Sequence, residues 1–465
     1  MKREELTGDW WLPSAPERQV AGTLSYEPDG YPELKLRGAL SDGKESKDRL
    51  VVLGRTGDGP VTAEIDFQTN LARGFSYGVE TVHQSFAVRL AIVGAHLPGS
   101  SDRRYSQISL DLTGIWPWTG WHGPTGRGST PGEVTITYSR PPELIADLEW
   151  GRVRLFGTHS ESYKGWARAS LEVGARFLCE RAEAAPMEAW LAEVVGPLRD
   201  FLSIATDRAS QVVEIGVILP DEHAYGRVIY SATHVDLPPH PALPFDFPFT
   251  AVSIADEFGS VLGRWFELRR RQGRALALYL STQYRASDLA ETRFLNVAGA
   301  AEAYHRRTTG PRAVPEGHKQ RVDRIVAALA STDLARRDRA LVRWRLRKGD
   351  EPTLESRLTE MARRCENVLQ PSLGDPAAFG KRVAAARNLM VHSDPSHLAG
   401  LPDGRTIIDM FEDVGLVFLV CLYQDLGFQD DTIKTMLRRT ERWRFLEYRK
   451  RAWFGEPTAV LREEP

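Results

Sequence analysis

Arg387, Asn388 and His392 stand near the C-terminal end of the sequence and place three different polar groups within six residues. The guanidinium group of an arginine stays charged and binds two phosphate oxygens through its planar fork. An imidazole gains or loses a proton near neutral pH, and an amide both donates and accepts hydrogen bonds. These residue types at this spacing could bind a phosphodiester and transfer a proton to or from it.

The spacing alone does not identify a site, because it also occurs elsewhere in the chain. Arg154 and His159 repeat it within strand-like sequence flanked by glycines. For Arg387 and His392, the structural alternative is a pair of side chains that stabilise the end of a helix. The pair at 387 and 392 differs from the other because a polar residue follows the arginine, apolar residues fill the gap, and a helix-ending signal follows the histidine.

The pair lies in sequence that predicts a helix from about residue 376 to 392. Alanine, leucine and methionine favour helix, and Asp375 followed by proline is typical of an N-cap and first helical residue. Asp394-Pro395 ends the helix, because a residue before proline avoids helical angles. On a straight helix, residues five apart differ by about 140° in azimuth and about 7.5 Å in rise. Therefore either the helix has ended by His392, or Arg387 and His392 line a groove formed with another surface.

Residues 1–240 predict mainly β-structure, because segments with β-branched or alternating apolar residues are separated by Asp-Gly and Pro-Gly turns. One helix, 185–205, interrupts this pattern. The remaining pattern predicts a sandwich or a barrel-like sheet. The predicted strands are 20–26, 33–40, 61–67, 85–93, 105–112, 133–139, 148–156, 167–173, 211–219 and 228–231.

A proline-rich segment at 236–249 precedes a change to the helical period of 3.6 residues. Residues 250–465 predict an α-helical bundle with one very hydrophobic helix in its middle. The fold class is therefore α+β, with a β-rich N-terminal module at 1–240 and an all-α bundle at 250–465. The predicted helices are 254–280, 287–307, 318–330, 334–348, 354–369, 376–392, 406–426 and 431–454.

Two other groups of residues are candidates for a site, and each has a structural alternative. Trp116, Trp118 and Trp121 could stack on a base or a sugar, or they could seal the edge of a sheet. Glu302 and His305 lie one helical turn apart on another predicted helix. They could face Arg387 and His392 across the bundle, or they could be a solvated pair.

The composition is that of a globular protein with two or three domains, since 42% of the 465 residues are hydrophobic and 26% are charged. The N-terminus lacks an apolar signal core, and no apolar run approaches the roughly 20 residues of a membrane span. We therefore expect a cytoplasmic protein that does not contact membranes. The three cysteines lack metal-ligand spacing and are expected to be buried thiols.

The net charge of −2 conceals a basic segment. Residues 261–350 contain 20 Lys and Arg against 9 Asp and Glu. This excess suits an anionic partner. The alternative is a set of solvated helix faces.

Several motifs of known chemistry are absent from the sequence. It contains no phosphate-binding Gly-x-x-x-x-Gly-Lys-Ser/Thr loop and no dinucleotide fingerprint. It also lacks the His-Glu-x-x-His zinc pattern and the Gly-x-Ser-x-Gly elbow of hydrolases. We therefore predict no cofactor and no bound metal.

Four segments of the chain resemble the ApeA-type HEPN proteins, which serve in bacterial anti-phage defence. Arg387-Asn388-x-x-x-His392 is similar to the Arg-polar-x(3–5)-His motif of HEPN ribonucleases. The sequence from Gly8 to Pro13, the segment 20–24 and the predicted helix 294–306 resemble corresponding parts of ApeA-type proteins. Together the segments cover the whole chain in the same order.

The resemblance implies an endoribonuclease that needs no metal and uses the 2′-hydroxyl of RNA as its nucleophile. His392 would be the general acid or base, Arg387 would bind the scissile phosphate, and Asn388 would orient one of them. The products would carry a 2′,3′-cyclic phosphate and a 5′-hydroxyl. The resemblance also implies a dimer or larger homo-oligomer in which two motifs form one cleft. The N-terminal module would sense infection, or restrain the nuclease until a phage-derived trigger arrives.

Two functions of other classes remain open. The bundle could bind RNA or a protein partner without cutting it. Alternatively, the β-rich module could bind a ligand such as a carbohydrate or a peptide, while the bundle serves only to oligomerise.

Overall fold

The structure is a computed structural model, and it describes most of the chain. His392, the helix-ending pair Asp394-Pro395 and part of the proline-rich segment lie outside the described residues. The described ranges are 3–27, 30–40, 50–76, 79–130, 133–164, 168–219, 225–232, 235–237, 243–309, 316–348, 352–391 and 402–453. The chain divides into two compact units, Met1–Phe266 and Glu267–Pro465.

Six strands of the N-terminal unit form a closed barrel. Strand β1 pairs with β2 and β4, while β5 pairs with β4 and β6, so the hydrogen bonding runs through the ring β1-β2-β3-β6-β5-β4. All of these pairs are antiparallel, and closure leaves these strands without a free edge along the ring. The strands are β1 (Glu4–Leu12), β2 (Ala15–Tyr26), β3 (Glu33–Leu36), β4 (Val51–Thr56), β5 (Gly59–Ser76) and β6 (Val79–Val93).

Trp10 fills the barrel interior. Its side chain is completely buried, and its indole nitrogen donates a hydrogen bond to the carbonyl oxygen of Gly22 at 3.1 Å. A Cβ atom at Gly54, on the paired strand β4, would lie 2.4 Å from the Trp10 ring. Only glycine therefore leaves room for this tryptophan. Sequence patterns predicted neither β1 nor β4, since both combine glycines with apolar residues that do not alternate.

A second run of antiparallel strands continues from the barrel, because β14 pairs with β6. The order beyond β14 is β13-β7-β12-β11-β10, and β8 and β9 form a separate ribbon. The strands are β7 (Arg104–Leu112), β8 (Thr125–Thr130), β9 (Glu133–Thr137), β10 (Leu144–Leu148), β11 (Gly151–Lys164), β12 (Arg168–Pro186), β13 (Val212–Ile218) and β14 (Tyr225–Tyr230). Of the two predicted architectures, a sandwich and a barrel-like sheet, the structure has the barrel-like sheet.

One predicted strand, 148–156, is wrong because it joins two strands. Strand β10 ends at Leu148, a turn follows, and β11 begins at Gly151 with φ +153°. A Cβ atom at Gly151 would lie 1.9 Å from the carbonyl oxygen of Glu180 on β12. The missing side chain thus permits both the turn and the close approach of the next strand.

A nearly continuous helical segment packs on this part of the sheet, as the sequence predicted for 185–205. It consists of α2 (Met187–Trp190), a π-helical turn at Leu191–Val195 and α3 (Gly196–Thr206). Its anchor is Trp190, which is buried and donates from its indole nitrogen to the carbonyl oxygen of Tyr105 at 2.9 Å.

The tryptophan-rich stretch contains a short helix, α1 (Ile115–Thr119). Trp118 is fully buried between Phe177 and Phe201, with ring centroids 6.1 and 5.8 Å away. Trp116 and Trp121 are half-buried and contact each other edge to face. Burial excludes Trp118 from stacking on a base, and this favours the sealing role for that residue.

The C-terminal unit is helical, and α11 forms its core. From Val414 to Tyr423 every residue of this helix is buried. Phe418 stacks on Tyr279 with ring centroids 4.5 Å apart. The helices are α4 (Phe258–Tyr284), whose residues belong to this unit from Glu267, then α5 (Ala290–Thr308), α6 (Glu316–Ala330), α7 (Arg336–Lys348), α8 (Leu354–Arg364), α9 (Glu366–Leu373), α10 (Pro376–Val391), α11 (Gly404–Asp425), α12 (Asp430–Arg439) and α13 (Glu441–Trp453).

Two of the predicted helices are each divided in the structure. The segment 354–369 breaks at Cys365, which separates α8 from α9. The segment 431–454 breaks at Thr440, whose extended backbone ends α12. The Thr440 hydroxyl then accepts a hydrogen bond from the backbone N–H of Trp443, as an N-cap does. Apolar spacing continued across both breaks, so periodicity alone could not reveal them.

Helix α10 crosses α8 closely at Gly380. A Cβ atom there would lie 2.3 Å from the Thr359 hydroxyl and 2.7 Å from the carbonyl oxygen of Glu355. Gly380→Ala is therefore expected to lower the free energy of unfolding by about 1–3 kcal/mol, because overpacking outweighs the better helix propensity of alanine. Thermal melting measures the change.

Gly404→Ala is the matched control, because a Cβ atom at this glycine of α11 meets nothing within 4 Å. That variant should melt like the wild type or slightly higher. Equal melting temperatures for the two variants would contradict a tight crossing of α10 and α8.

Candidate functional site

Helix α10 presents Arg387 and Asn388 near its C-terminal end. The predicted N-cap is confirmed, since Oδ2 of Asp375 accepts a hydrogen bond from the backbone N–H of Ala378 at 2.7 Å. The buried face of the helix includes Phe379 and Val383. The rigid packing of this face fixes where the opposite side chains point.

Arg387 lies at the surface with two polar neighbours. Its Nη1 donates to Oδ1 of Asn388 at 3.0 Å, and its Nη2 lies 3.8 Å from Oε2 of Glu302 on α5. The Arg387 side chain is 31% exposed, so part of the guanidinium remains open to solvent. Such a group can accept an anion while its neighbours limit its rotation.

Glu302 links two arginines. Its Oε1 accepts a hydrogen bond from Nη2 of Arg306, one turn further along α5, at 3.1 Å. The structure therefore places Glu302 beside Arg387 on α10, which is one of the two alternatives that the sequence left open for Glu302. The role of Arg306 was missed, although its spacing of four residues from Glu302 is that of an ion pair on a helix.

His305 contacts helix α8. Its Nε2 lies 2.9 Å from Oε2 of Glu360, and its Nδ1 lies 3.4 Å from Nη1 of Arg357. The guanidinium can only donate, so Nδ1 accepts and Nε2 carries the proton toward Glu360. This buried histidine joins α5 to α8. Sequence spacing placed it beside Glu302 but could not foresee these partners.

A cavity of about 190 Å³ lies beside this histidine, within the C-terminal unit. Arg364 at its wall pairs with Asp425 at 2.5 Å, and Tyr304 donates a hydrogen bond to the same carboxylate. Burial and the adjacent Asp425 raise the pKa of Tyr304, so this phenol remains a donor. The cavity is lined by Tyr304, His305, Thr308, Thr309, Glu360, Met361, Arg364 and Cys421.

The ion pair between Glu302 and Arg387 leads to a testable expectation. Glu302→Gln keeps the shape of the side chain but removes its charge, so Arg387 loses a group that orients it. If the chain cleaves RNA, as its resemblance to HEPN ribonucleases implies, cleavage should fall about tenfold, since small displacements of a positioning group carry costs of this order or more. The melting temperature should change little, because a half-exposed ion pair contributes at most about 1 kcal/mol.

Two further variants make this test specific. Glu291→Gln removes an exposed carboxylate from the first turn of the same helix and should leave cleavage unchanged. In an Arg387→Ala background, Glu302→Gln should have no further effect. An equal loss in that background would mean that Glu302 acts independently of Arg387.

Two features of the described residues bear on other types of site. They contain no group of three or more His, Cys, Asp or Glu side chains that could hold a metal ion. None of the helices in the described ranges has the length and apolar character needed to cross a bilayer.

The N-terminal unit is a barrel with a continuing sheet, and the C-terminal unit is a helical bundle that brings Arg387 and Asn388 on α10 together with Glu302 on α5. The family described as ApeA N-terminal domain 1 matches residues 5–265, which is just over half of the chain. The family described as Apea-like HEPN matches residues 295–432, a range that includes Arg387, Asn388 and His392. The chain belongs to the ApeA-type HEPN family. No curated protein and no solved structure matched it.

Proposed function

We propose that this protein is a metal-independent endoribonuclease of bacterial anti-phage defence. Its family membership supports a nuclease-type role in defence, since HEPN domains are generally associated with ribonuclease activity. The observation that carries the finer proposal is the position of Arg387, partly exposed within the HEPN match and flanked by Asn388 and Glu302. A cytoplasmic location belongs to the same proposal, because cellular RNA would be the substrate.

The proposed reaction uses the 2′-hydroxyl of the RNA as nucleophile. His392 accepts the proton of this hydroxyl or donates one to the leaving 5′-oxygen. Arg387 binds the scissile phosphate and stabilises the negative charge that builds on it. Asn388, which accepts a hydrogen bond from Arg387, orients the guanidinium. The products are a 2′,3′-cyclic phosphate and a 5′-hydroxyl.

Incubation of the purified protein with total RNA in excess EDTA tests the metal independence. Cleavage should persist, because every group in the proposed reaction comes from the protein or the RNA. Loss of cleavage in EDTA, with recovery on adding Mg²⁺ or Mn²⁺, would contradict the mechanism.

Helix α7 supports RNA as the partner of the basic segment. Arg336, Arg337, Arg343 and Arg345 are exposed on it, and Trp344 is 49% exposed. The guanidinium carbon of Arg345 lies 5.3 Å from the centroid of the Trp344 ring. Exposed cations beside an aromatic ring suit a single-stranded nucleic acid, since cations bind phosphates and rings stack on bases. The same surface also favours the second candidate function, an RNA-binding module that does not cleave.

RNA affinity should therefore fall steeply with salt. Each phosphate neutralised on a single strand contributes about −0.7 to the slope of log K against log salt. Replacing Arg343 and Arg345 with glutamine should make this slope less steep by about 1.4. Filter binding at several salt concentrations measures it, and an unchanged slope would assign these arginines to solvated helix faces.

A dimeric or larger assembly is also proposed, since HEPN domains commonly oligomerise. If the helix continues to position 392, Arg387 and His392 would line a groove completed by a second surface, and two-fold symmetry would supply that surface from a second copy. Light scattering measures the mass in solution. An active monomer at assay concentration would contradict a shared cleft.

The N-terminal barrel and sheet are proposed to sense infection or to restrain the nuclease until a phage-derived trigger arrives. The match of this unit to an ApeA-type domain supports the proposal. Deletion of residues 1–266 should then alter the time after phage infection at which RNA cleavage begins in the cells. Identical timing with and without this unit would contradict a regulatory role.

A further inference from the structure

Two buried thiols meet inside the helical unit. The sulfur atoms of Cys365 and Cys421 lie 3.4 Å apart, and neither belongs to a disulfide. Cys365 stands at the junction of α8 and α9, while Cys421 lies within the fully buried part of α11. The pair is separated by 56 positions in the sequence and is brought together only by the fold.

The geometry is close to that of a disulfide. A sulfur–sulfur bond measures about 2.05 Å, so the two atoms need to approach by about 1.4 Å. Rotation of the two side chains can supply much of this distance, since each has one free dihedral angle before the sulfur. Cys365 Sγ also contacts the carbonyl oxygen of Val417 at 3.5 Å, one helical turn before Cys421. This contact holds the Cys365 thiol against α11.

An oxidant has a route to one of the two sulfurs. Cys421 lines the cavity of about 190 Å³ beside His305, whereas Cys365 is not part of its wall. A water molecule occupies roughly 30 Å³ of the liquid, so the cavity has room for a molecule of the size of hydrogen peroxide. The hydrogen bond with Cys421 and burial both raise the pKa of the Cys365 thiol. Because it lines the cavity, Cys421 is the sulfur that meets the oxidant first.

We propose that Cys365 and Cys421 form a site of reversible oxidation, at which a hydroperoxide converts the two thiols into a disulfide. Neither the family assignment nor the proposed nuclease reaction includes this site.

The oxidation proceeds in two balanced steps. The Cys421 sulfur loses its proton and attacks a peroxide oxygen, the O–O bond breaks, and Cys421 sulfenic acid and water result. The Cys365 sulfur then attacks the Cys421 sulfur, the S–O bond breaks, and a second water leaves with the proton of Cys365. Two thiols and one hydrogen peroxide thus give one disulfide and two waters. A small dithiol reductant reverses the change by thiol–disulfide exchange.

The disulfide would enclose the candidate nuclease site in a covalent loop. The chain between Cys365 and Cys421 contains α9, all of α10 and the residues from Arg387 to His392. It would also tie α8, on which α10 packs at Gly380, to α11. Closing a loop of this length restricts the unfolded chain and stabilises the folded unit. The melting temperature should rise on the order of 5–10 °C.

The test uses the full-length protein and hydrogen peroxide, followed by thiol titration in denaturant and peptide mapping. Three thiols should titrate before oxidation and one afterwards, and the linked peptides should contain Cys365 and Cys421. Dithiothreitol should restore all three thiols and the original melting temperature. None of these measurements requires RNA cleavage, so their outcome is independent of the proposed nuclease function.

Matched variants assign the effect to the pair. Cys179→Ala removes the buried thiol of β12, in the other unit, and should still lose two thiols and gain thermal stability on oxidation. Cys421→Ala should lose the intramolecular disulfide and the rise in melting temperature. The proposal is overturned if the folded wild type keeps three titratable thiols, if Cys179 forms the bond, or if the bond joins two chains.

Discussion

Replacing His392 with alanine is expected to lower the rate of RNA cleavage by about 10²–10⁴-fold, the usual contribution of a general acid or base. The melting temperature should change little, because His392 closely precedes the helix-ending signal Asp394-Pro395 in the sequence, and side chains at a helix end are usually not fully buried. A change of this kind costs about 1 kcal/mol or less. Initial rates on a defined RNA and thermal melting of the same preparation measure the two effects.

His159→Ala is the matched control for this variant. His159 also follows an arginine, Arg154, at a spacing of five residues, but it lies exposed on strand β11 of the N-terminal unit. Cleavage by this variant should equal that of the wild type. If His392→Ala fails to fold while His159→Ala folds normally, Arg387 and His392 are a structural pair that stabilises the end of the helix.

Replacing Arg387 with lysine is expected to impair cleavage although the positive charge is retained. Lysine lacks the planar fork that holds two phosphate oxygens, and its amine cannot reproduce the hydrogen bond to Asn388 together with the ion pair to Glu302. Arg387→Ala should lower the rate by about 10²–10³-fold, as for removal of a donor that stabilises developing charge. Arg387→Lys should lie between alanine and the wild type.

Arg382→Lys provides the control for the arginine variants. Arg382 lies on the same helix, is 49% exposed and pairs with Asp413 at 3.2 Å. Its replacement changes the same functional group in a similar setting and should leave cleavage unchanged. Equal losses of cleavage for Arg382→Lys and Arg387→Lys would mean that any arginine-to-lysine change on α10 impairs the protein. That result would remove Arg387 from the proposed site.

Local sequence chemistry predicted much of the helical unit. Thr353, Asp375 and Asp403 each accept a hydrogen bond from a backbone N–H three residues later, as side-chain caps do. The predicted helices 354–369 and 376–392 begin at the residues where α8 and α10 begin. The long apolar run near Leu416 predicted the buried core helix. Such signals act over a few residues, so they can be identified without knowing the rest of the fold.

Contacts between distant parts of the chain could not be predicted in this way. Closure of the barrel depends on pairing β5 with both β4 and β6, and the burial of Trp10 depends on Gly54, 44 positions away. Glu360 and Arg357, which contact His305, lie on another helix, and so does Cys421, which contacts Cys365. These contacts follow from tertiary packing, which no local pattern encodes.

For Glu302 and His305, sequence spacing alone could not predict which helix each side chain contacts. Its distance of three residues from His305 suggested that both side chains face one partner. On a helix, however, residues three apart differ by about 60° in azimuth. Glu302 consequently points to α10, while His305 points to α8. A small angular difference thus separates a neighbour of the candidate site from a buried structural residue.

Mapping the ends of RNA cut by the wild type and by His392→Ala tests the central proposal most directly. Total RNA incubated with the wild type in EDTA should yield 2′,3′-cyclic phosphate and 5′-hydroxyl ends. The same ends should be absent, or reduced at least a hundredfold, when the RNA is incubated with His392→Ala protein that melts at the same temperature as the wild type. Ends with a 5′-phosphate, or cleavage by His392→Ala at the wild-type rate, would contradict a nuclease site formed by Arg387, Asn388 and His392.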